Sequence, residues 1–274
     1  AVVARPADAG RRRAEARPRA VRLFGKRRRF KVRDTEDRVG DWDDLTQEER
    51  QALAQQFSAN ADPRKLDWNW REINFNRVAL VNYVVSRLPR DASYLEIGCA
   101  RNVLFDAVPL ADKTGVDPVA GGTERMTSDA FFETNTKLFD FVWIDGLHEY
   151  GQVHRDVENT LRFMKPGGWI GLHDLLPRHW KEEHMPRISA GWTGDVWKVA
   201  FEIMRTHGLD FRILLIDHGV GLVKVAPDHA PLADMSDELA EARFGHLYEN
   251  VSELPLRSWD EALAWIDGFG PSAR

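Results

Sequence analysis

The chain has 274 residues, of which 43% are hydrophobic and 30% are charged, and its formal net charge at pH 7 is −5. This apolar content is enough to form a sizeable core and excludes a wholly disordered chain, while a single cysteine, Cys99, excludes a framework of intrachain disulfides. No apolar run approaches the roughly 18 residues that a membrane-spanning helix needs, and no signal-peptide pattern opens the sequence, so we expect a cytoplasmic protein without a membrane span.

The charge is distributed unevenly along the chain. Residues 1–33 contain 13 Lys and Arg against two acidic residues, a balance of +11, so the other 241 residues sum to −16. We interpret this segment as a basic, flexible N-terminal arm; a transit peptide, or an arm that binds nucleic acid or another polyanion by charge, is the alternative. The acidic remainder makes nucleic acid an unexpected substrate, although the arm does not exclude it as a partner.

The elements before residue 90 are predicted to be helical or irregular. Residues 34–71 are polar and acidic and indicate an extension with one short helix near residues 45–57, for which Thr46 is the predicted N-cap. From residue 72 the pattern becomes regular: an apolar residue recurs every three or four positions from Val78 to Leu88. This spacing predicts an amphipathic helix that Pro89 ends.

Beyond Pro89, short apolar runs alternate with helix-length segments. Strands are predicted at residues 94–97, 115–117, 141–145 and 169–173, helices at 150–164 and 196–203, and a hairpin at 211–216 and 220–225. The sequence Pro166-Gly167-Gly168 is predicted to form the turn after the first of these helices. The alternation predicts an α/β fold, doubly wound and mostly parallel, over residues 72–226, with an antiparallel β-hairpin at its C-terminal end and a helical appendage over 227–274.

Ligands of such sheets bind beyond the carboxyl ends of the strands, so the residues there are the first candidates for a site. The first strand runs from Glu96 into Gly98, and a glycine turn before a helix can bring backbone amides close to a cofactor. The next strand ends at Asp117, at the roughly 20-residue spacing of an acid that accepts hydrogen bonds from ribose hydroxyls. Taken singly, Asp117 is better interpreted as a solvated turn residue.

A second group of polar residues follows the next two predicted strands. Its members are Asp145, His148, His173 and Asp174. Because the two strands are expected to be neighbours, these side chains can converge on one cleft, where carboxylates and imidazoles suit a divalent cation such as Mg²⁺ or Mn²⁺. The alternative is structural: Asp174 caps the following loop and His148 lies on a helix surface.

Together these motifs resemble the class I S-adenosylmethionine-dependent methyltransferases over about residues 72–226. The matching motifs are YLEIG at 94–98, GVDP at 115–118, IDGLHEY at 144–150, KPGG at 165–168 and HD at 173–174. The resemblance implies a Rossmann-like sheet of seven strands and S-adenosylmethionine as cofactor. It assigns Glu96 and Gly98 to the methionine part of that cofactor, Asp117 to the ribose, and Ser128 and Asp129 to the adenine. One departure is Asn102, which stands where the family has a loop glycine.

The resemblance extends to the O-methyltransferases of small molecules that use Mg²⁺. It implies that Asp145 and Asp174 are metal ligands and that His173 takes the place of a third ligand, usually an acid or amide, so the identity of the metal and the need for one are left open. His148 matches the general base of some of these enzymes, with Asp145 beside it. An imidazole pKa near 6.5 suits removal of a hydroxyl proton near neutral pH.

Residues 178–198 are predicted to form a lid, in which Trp192 and Arg178 are the candidate contacts to the acceptor. The sequence thus predicts methyl transfer from S-adenosylmethionine to a hydroxyl of a small molecule or glycan. The alternatives are a methyltransferase of RNA that uses the basic arm, and a metal-dependent hydrolase or a cofactor-binding module on the same fold. The oligomeric state is left open.

Overall fold

A computed structural model describes residues 3–5, 42 and 44–270 of the chain. The strands, in chain order, are β1 (Val3–Arg5), β2 (Lys65–Asp67), β3 (Ser93–Ile97), β4 (Asp112–Val116), β5 (Phe139–Ile144), β6 (Met164–Leu172), β7 (Leu209–Leu214), β8 (Val220–Val225) and β9 (Leu256–Arg257). The α-helices are α1 (Gln47–Gln56), α2 (Arg77–Val85), α3 (Val103–Ala107), α4 (Ser128–Thr134), α5 (Tyr150–Arg162), α6 (Trp180–Glu183), α7 (Lys198–Arg205), α8 (Ser236–Leu239), α9 (Phe244–Asn250) and α10 (Trp259–Asp267).

Seven strands form the main sheet, in the order β4-β3-β5-β6-β8-β7-β9. Neighbours from β4 to β6 are parallel, β8 is antiparallel to both β6 and β7, and β9 is parallel to β7. This confirms the predicted doubly wound, mostly parallel sheet with an antiparallel hairpin. The seventh strand, β9, comes from the segment after residue 226, where the sequence indicates helix.

The sheet separates two apolar cores, because successive side chains of a strand point to opposite faces. In β3, Leu95 and Ile97 belong to one core and Tyr94 to the other. The first core is covered by α5 and α7, whose apolar faces contribute residues such as Val157 and Val199, and the second is covered by α2. Both layers together hold the strand ends of the sheet at fixed positions.

The C-terminal segment completes both layers. Leu239, Phe244 and Leu247 are buried in the first core, and Ala262 and Ile266 of α10 are buried in the second. The helices predicted as an appendage over 227–274 therefore cover the sheet on both sides.

One predicted boundary is wrong. The apolar periodicity of α5 continues to Met164, but the helix ends at Arg162, and Met164 is the first residue of β6, where it is paired with Phe139. The predicted turn at 166–168 lies inside β6, and the register shifts between Phe139 and Phe141. Periodicity failed here because a buried methionine satisfies a helix face and a strand equally well.

At the N-terminal side, α1 begins as predicted. Thr46 caps the helix, and its partner in a reciprocal capping box is Glu49. Residues 3–5 of the predicted basic arm form β1, which is antiparallel to β2, and the rest of that arm lies outside the described residues. Within the described ranges, no helix combines the length and the apolar character needed to cross a bilayer.

Candidate active site

Two carboxylates and an imidazole meet at the carboxyl ends of β5 and β6. Asp145 follows β5, and Asp174 follows two residues after the end of β6, with a left-handed backbone (φ +64°). His148 lies between them: its Nε2 is 3.3 Å from Oδ1 of Asp145, and its Nδ1 is 3.2 Å from Oδ2 of Asp174. One ligand atom from each of the three side chains lies within 4.8 Å of the others, a spacing compatible with a shared cation.

Two glycines help to fix the positions of Asp145 and His148, because the absence of a side chain allows another backbone segment to pack directly against each of them. A Cβ on Gly98 would overlap the carbonyl oxygen of Asp145, and a Cβ on Gly194 would overlap that of His148. Both glycines also have positive φ, at +85° and +62°, which other residues rarely adopt. The loop after β3 and the lid therefore both rest directly on the residues of the site.

Trp192 packs against His148. The two rings are stacked with their centroids 5.3 Å apart, and Nδ1 of His148 lies 3.3 Å from the carbonyl oxygen of Trp192. The indole Nε1 donates to the carbonyl oxygen of His184 at 2.9 Å, which fixes the ring. The structure thus brings Trp192, a predicted acceptor contact, onto the predicted base.

The charges of the group depend on one another. Burial by itself raises the pKa of Asp145, but the charge of His173 and a hydrogen bond from His148 outweigh it and hold that pKa well below its ordinary value. Burial lowers the pKa of His148, but the charges of Asp174 and Asp145 prevail and raise it. The two imidazoles therefore balance buried negative charge, as a bound cation would.

His173 lies at the back of the group. Its Nδ1 is 3.3 Å from Asp145 and 3.2 Å from Asp174, although this buried nitrogen makes no well-directed hydrogen bond to the described residues. Its Nε2 is 3.2 Å from Nη1 of Arg77. The predicted ligands Asp145, His173 and Asp174 thus lie close together, and His148 lies at a similar distance from both carboxylates.

Arg77 and Asp217 complete the site, and the sequence analysis missed both. Nη1 of Arg77 donates to Oδ2 of Asp217 at 2.9 Å, and Nε lies 3.8 Å from Oδ2 of Asp145. Asp217 has φ +39° and lies in the turn between β7 and β8. From the sequence, this position is only the connection between the two strands of the predicted hairpin. One signal was present: Asn76 is an N-cap, and a helix preceding a strand starts near the carboxyl edge of the sheet.

The loop after β3 has the conformation expected of a cofactor loop. Ala100 and Asn102 both have positive φ, at 45° and 60°, in addition to Gly98. Asn102, the departure from the family pattern, thus adopts the left-handed conformation that glycine favours and asparagine tolerates. Its Oδ1 accepts a hydrogen bond of 2.7 Å from the amide of Gly122, which joins this loop to the one after β4.

Asp117 is buried and connects the same two loops. Its Oδ2 accepts a hydrogen bond from the amide of Ala100 at 2.9 Å, and its Oδ1 accepts from Val119 and Ala120 at 2.8 Å each. A carboxylate offers about four lone pairs, so three bonds leave capacity for one more donor. Asp117 therefore shapes the loops and retains an acceptor for a ligand hydroxyl.

The other side chains predicted to bind the cofactor make hydrogen bonds to neighbouring side chains of the protein. Glu96 is buried in β3, accepts a 2.6 Å hydrogen bond from the hydroxyl of Tyr94, and has a pKa that burial raises to about 7. Ser128 and Asp129 begin α4, and both accept from Nε2 of Gln152, at 3.1 and 3.3 Å. These two side chains face α5.

Arg178, the other predicted acceptor contact, is bound within the lid. Its Nε donates to Oε1 of Glu182 at 3.1 Å, and Glu182 is buried. The carbonyl oxygen of Glu182 in turn accepts from the amide of Thr193 at 2.8 Å, beside Trp192. Arg178 thus stabilises the conformation of residues 178–198, the predicted lid.

Comparison with known proteins identifies the family. A family model described as a methyltransferase domain matches residues 33–175, which include β3, β5 and β6 with Asp145, His148 and Asp174. The chain belongs to this methyltransferase family. No curated protein matches the sequence.

Several solved methyltransferase structures are similar to the chain. MycE from the mycinamycin biosynthetic pathway, solved with Mg, SAH and mycinamycin VI, is 16% identical with a TM-score of 0.34, over 50% of this chain and 45% of MycE. An O-methyltransferase from Bacillus cereus in complex with SAH is 13% identical with a TM-score of 0.37, over 70% of this chain and 100% of that one. The mitomycin 7-O-methyltransferase MmcR is 18% identical with a TM-score of 0.36, over 54% of each chain. The match thus spans about half the length of MycE and MmcR.

The strand ends present groups that can contact a ligand. Gly98 lets the backbone of Asp145 and Gly146 pack directly against the end of β3, which positions Asp145 there. Asp117 presents an acceptor at the end of the adjacent β4. The group of Asp145, His148 and Asp174 likewise fits a divalent cation by its oxygen and imidazole donors.

Proposed function

We propose that this methyltransferase transfers the methyl group of S-adenosylmethionine to a hydroxyl oxygen of a small molecule or glycan, with His148 as the base and a divalent cation held by the carboxylates of Asp145 and Asp174. The observation that carries the proposal is the meeting of these three side chains at the carboxyl ends of β5 and β6. Strand β5 lies next to β3, whose loop contains Gly98, so a donor and an acceptor would be held on neighbouring strand ends.

The chain's own residues account for proton removal. A cation held by Asp145 and Asp174 would offset the negative charge that favours the protonated imidazole. With the Nδ1 proton donated to the carbonyl oxygen of Trp192, Nε2 would then accept the hydroxyl proton. Stacking on Trp192 fixes the plane of the ring. Asp145, 3.3 Å from Nε2, stabilises the imidazolium that forms.

The bound groups supply the remaining chemistry: the cofactor provides an activated methyl group, and the cation provides positive charge beside the hydroxyl oxygen. Asp145 and Asp174 offer carboxylate oxygens, which suit Mg²⁺ or Mn²⁺. Orientation of the acceptor oxygen toward the methyl carbon is worth several orders of magnitude in rate.

Calorimetric titration with S-adenosylmethionine, together with Mn²⁺ binding followed by electron paramagnetic resonance, tests the proposal. We expect Asp117→Ala to weaken cofactor binding by tenfold or more, which is about 1.4 kcal/mol or above, because a charged acceptor is lost. We expect Asp145→Asn to weaken Mn²⁺ binding and to leave cofactor affinity close to that of the unmodified chain.

The matched control is Asp91→Asn, which removes the same charge from an exposed carboxylate just before β3, away from the carboxyl ends of the strands. Absence of cofactor binding by the unmodified chain would overturn the methyl-transfer proposal. Mn²⁺ binding that is unchanged in Asp145→Asn would overturn the assigned cation site.

A further inference from the structure

An open cleft of about 370 Å³ lies beside the active site, on the segment that precedes α2. Six of its lining residues belong to the segment 70–76, and the seventh is Asp217. Its volume is at the lower end of the roughly 300–1,000 Å³ that is usual for ligand sites, which suits a compact molecule of one or two rings. None of the residues predicted from the sequence to contact an acceptor lines it.

The walls of the cleft are aromatic and apolar. Ile73 and Phe75 are 41% and 45% exposed, which is unusual for large apolar side chains in a folded chain. Phe75 is fixed by stacking on Trp259, with ring centroids 4.3 Å apart, and Trp70 packs on His218 at 4.2 Å. Two ordered aromatic rings therefore form part of a rigid surface that is open to a ligand.

The cleft also carries a positive charge. The guanidinium of Arg71 lies over the ring of Trp70, 4.7 Å from its centroid, and within residues 44–270 it makes no ion pair with a carboxylate. The negative charge of Asp217 in the opposite wall is balanced by Arg77, whose Nη1 donates to it at 2.9 Å. An anionic group of a ligand would thus be attracted to the end of the cleft at Arg71.

Asp217 connects the cleft with the reacting groups. Asp217 in the cleft wall is bonded to Arg77, and Nε of the same arginine lies 3.8 Å from Asp145. His173 contacts Asp217 as well, at 3.6 Å. A molecule in the cleft that contacts Asp217 therefore lies next to the side chains that contact Asp145.

We propose that this cleft is the acceptor site and that it selects a hydroxylated aromatic acid, with its carboxylate at Arg71, its ring against Phe75 and its hydroxyl toward Asp145. The proposal rests on the methyl-transfer function argued above and narrows its substrate class. Phe75, which is exposed and held in place by Trp259, supplies the stacking face; Arg71 discriminates by charge; and Asp217, held by Arg77, marks the side nearest to the chemistry.

The test compares two probes of the same shape, 4-hydroxybenzoate and 4-hydroxybenzamide, by calorimetric titration of the full chain. We expect the unmodified chain to bind the benzoate about fivefold more tightly, since a solvent-exposed charge pair is worth up to about 1 kcal/mol. In Arg71→Gln that preference should disappear while the benzamide binds as before. In Phe75→Leu both probes should bind about threefold to tenfold more weakly, because both use the ring face.

Arg90→Gln is the matched control, because it removes an exposed arginine outside the cleft and should keep the preference for the benzoate. A preference that survives in Arg71→Gln overturns the proposal, as does an unmodified chain that binds neither probe or binds both equally. Titration of the same variants with S-adenosylmethionine separates the two hypotheses. A chain that keeps the Arg71-dependent preference but does not bind the cofactor would contradict the methyl-transfer function and leave the cleft's charge selection intact.

Discussion

Among single residues, His148 carries the greatest part of the proposed chemistry. We expect His148→Ala to turn over at least about 100-fold more slowly, because removal of a general base typically costs about 10²–10⁴ in rate. Cofactor affinity should change little, since His148 lies on the side of β5 that faces β6 and Asp174. Methyl-transfer kinetics and calorimetry on one preparation check both expectations, and a turnover equal to that of the unmodified chain would refute the role of the base.

The control for that experiment is chosen from the structure. From the sequence we expect His154→Ala to resemble the unmodified chain, but Nδ1 of His154 lies 2.9 Å from Oε2 of Glu202, a fully buried side chain. Loss of a buried partner leaves an uncompensated charge, so His154→Ala should melt at a lower temperature. His207→Ala is the better control, because that side chain is 78% exposed.

Glu96 gives the protein a dependence on pH that can be assigned to one side chain. Burial raises its folded pKa to about 7, above the value of 4.5 expected in the unfolded chain. The protonated carboxyl therefore favours the folded state, fully below pH 4.5, and this contribution is lost as the pH rises through about 7.

Glu96→Gln isolates the effect because glutamine is neutral in both states. We expect the melting temperature of the unmodified chain, minus that of the variant, to fall between about pH 5 and pH 8. Differential scanning calorimetry at four or five pH values measures this. A difference that is constant with pH, or that rises, would contradict the assignment.

At the scale of elements, the contact between the loop after β3 and the end of β5 can be tested with two glycines. Gly98 and Gly167 both have positive φ, but a Cβ would overlap backbone only at Gly98 and would meet nothing within 4 Å at Gly167. Gly167→Ala should cost the roughly 1–2 kcal/mol of a left-handed alanine. Gly98→Ala should cost more, because the end of β5 must shift, and should weaken Mn²⁺ binding as well. Equal melting temperatures and equal Mn²⁺ affinities in the two variants would rule out this contact.

The same scale shows how far the sequence can be read. Alternating apolar runs were enough to predict β3, β5, β6 and the hairpin, because each is a local pattern that burial on a sheet demands. Local pattern also placed Asp145 and Asp174 at adjacent strand ends. It could not supply the Arg77–Asp217 pair, whose members are 140 residues apart, because only the completed fold brings them together.

The two-residue strand β9 escaped prediction for a related reason. Leu256 and Arg257 pair with Ile213 and Leu214, and nothing in so short a run distinguishes a strand from a loop. The position of His148 within 3.3 Å of both carboxylates likewise depends on side-chain direction, which spacing does not specify. The sequence was sufficient to predict the residue types and the strand order, but it was not sufficient to predict the orientation of each imidazole ring.

For the whole molecule, the basic arm is the part whose removal is most informative. A chain that begins at Asp34 loses β1 and its pairing with β2 but keeps both cores. We expect unchanged cofactor affinity and a melting temperature lower by about 2–4 °C, the shift that about 1 kcal/mol produces in a chain of this size. Calorimetry on the truncated chain and the full chain, compared directly, tests both expectations. A loss of cofactor affinity would assign the arm to the active site.

The antiparallel pairing of β6 with β8 has a consequence for anyone who expresses part of this protein. A fragment bounded by the family match would end just after β6 and would leave the backbone donors and acceptors of residues 169–172 without the strand that pairs with them. Ile170 and Leu172, which are fully buried in the intact chain, would then lie on a bare apolar edge, the kind of template on which chains add to one another. Such a fragment should elute from a sizing column as aggregate, even though it contains every residue assigned here to the cofactor and the cation.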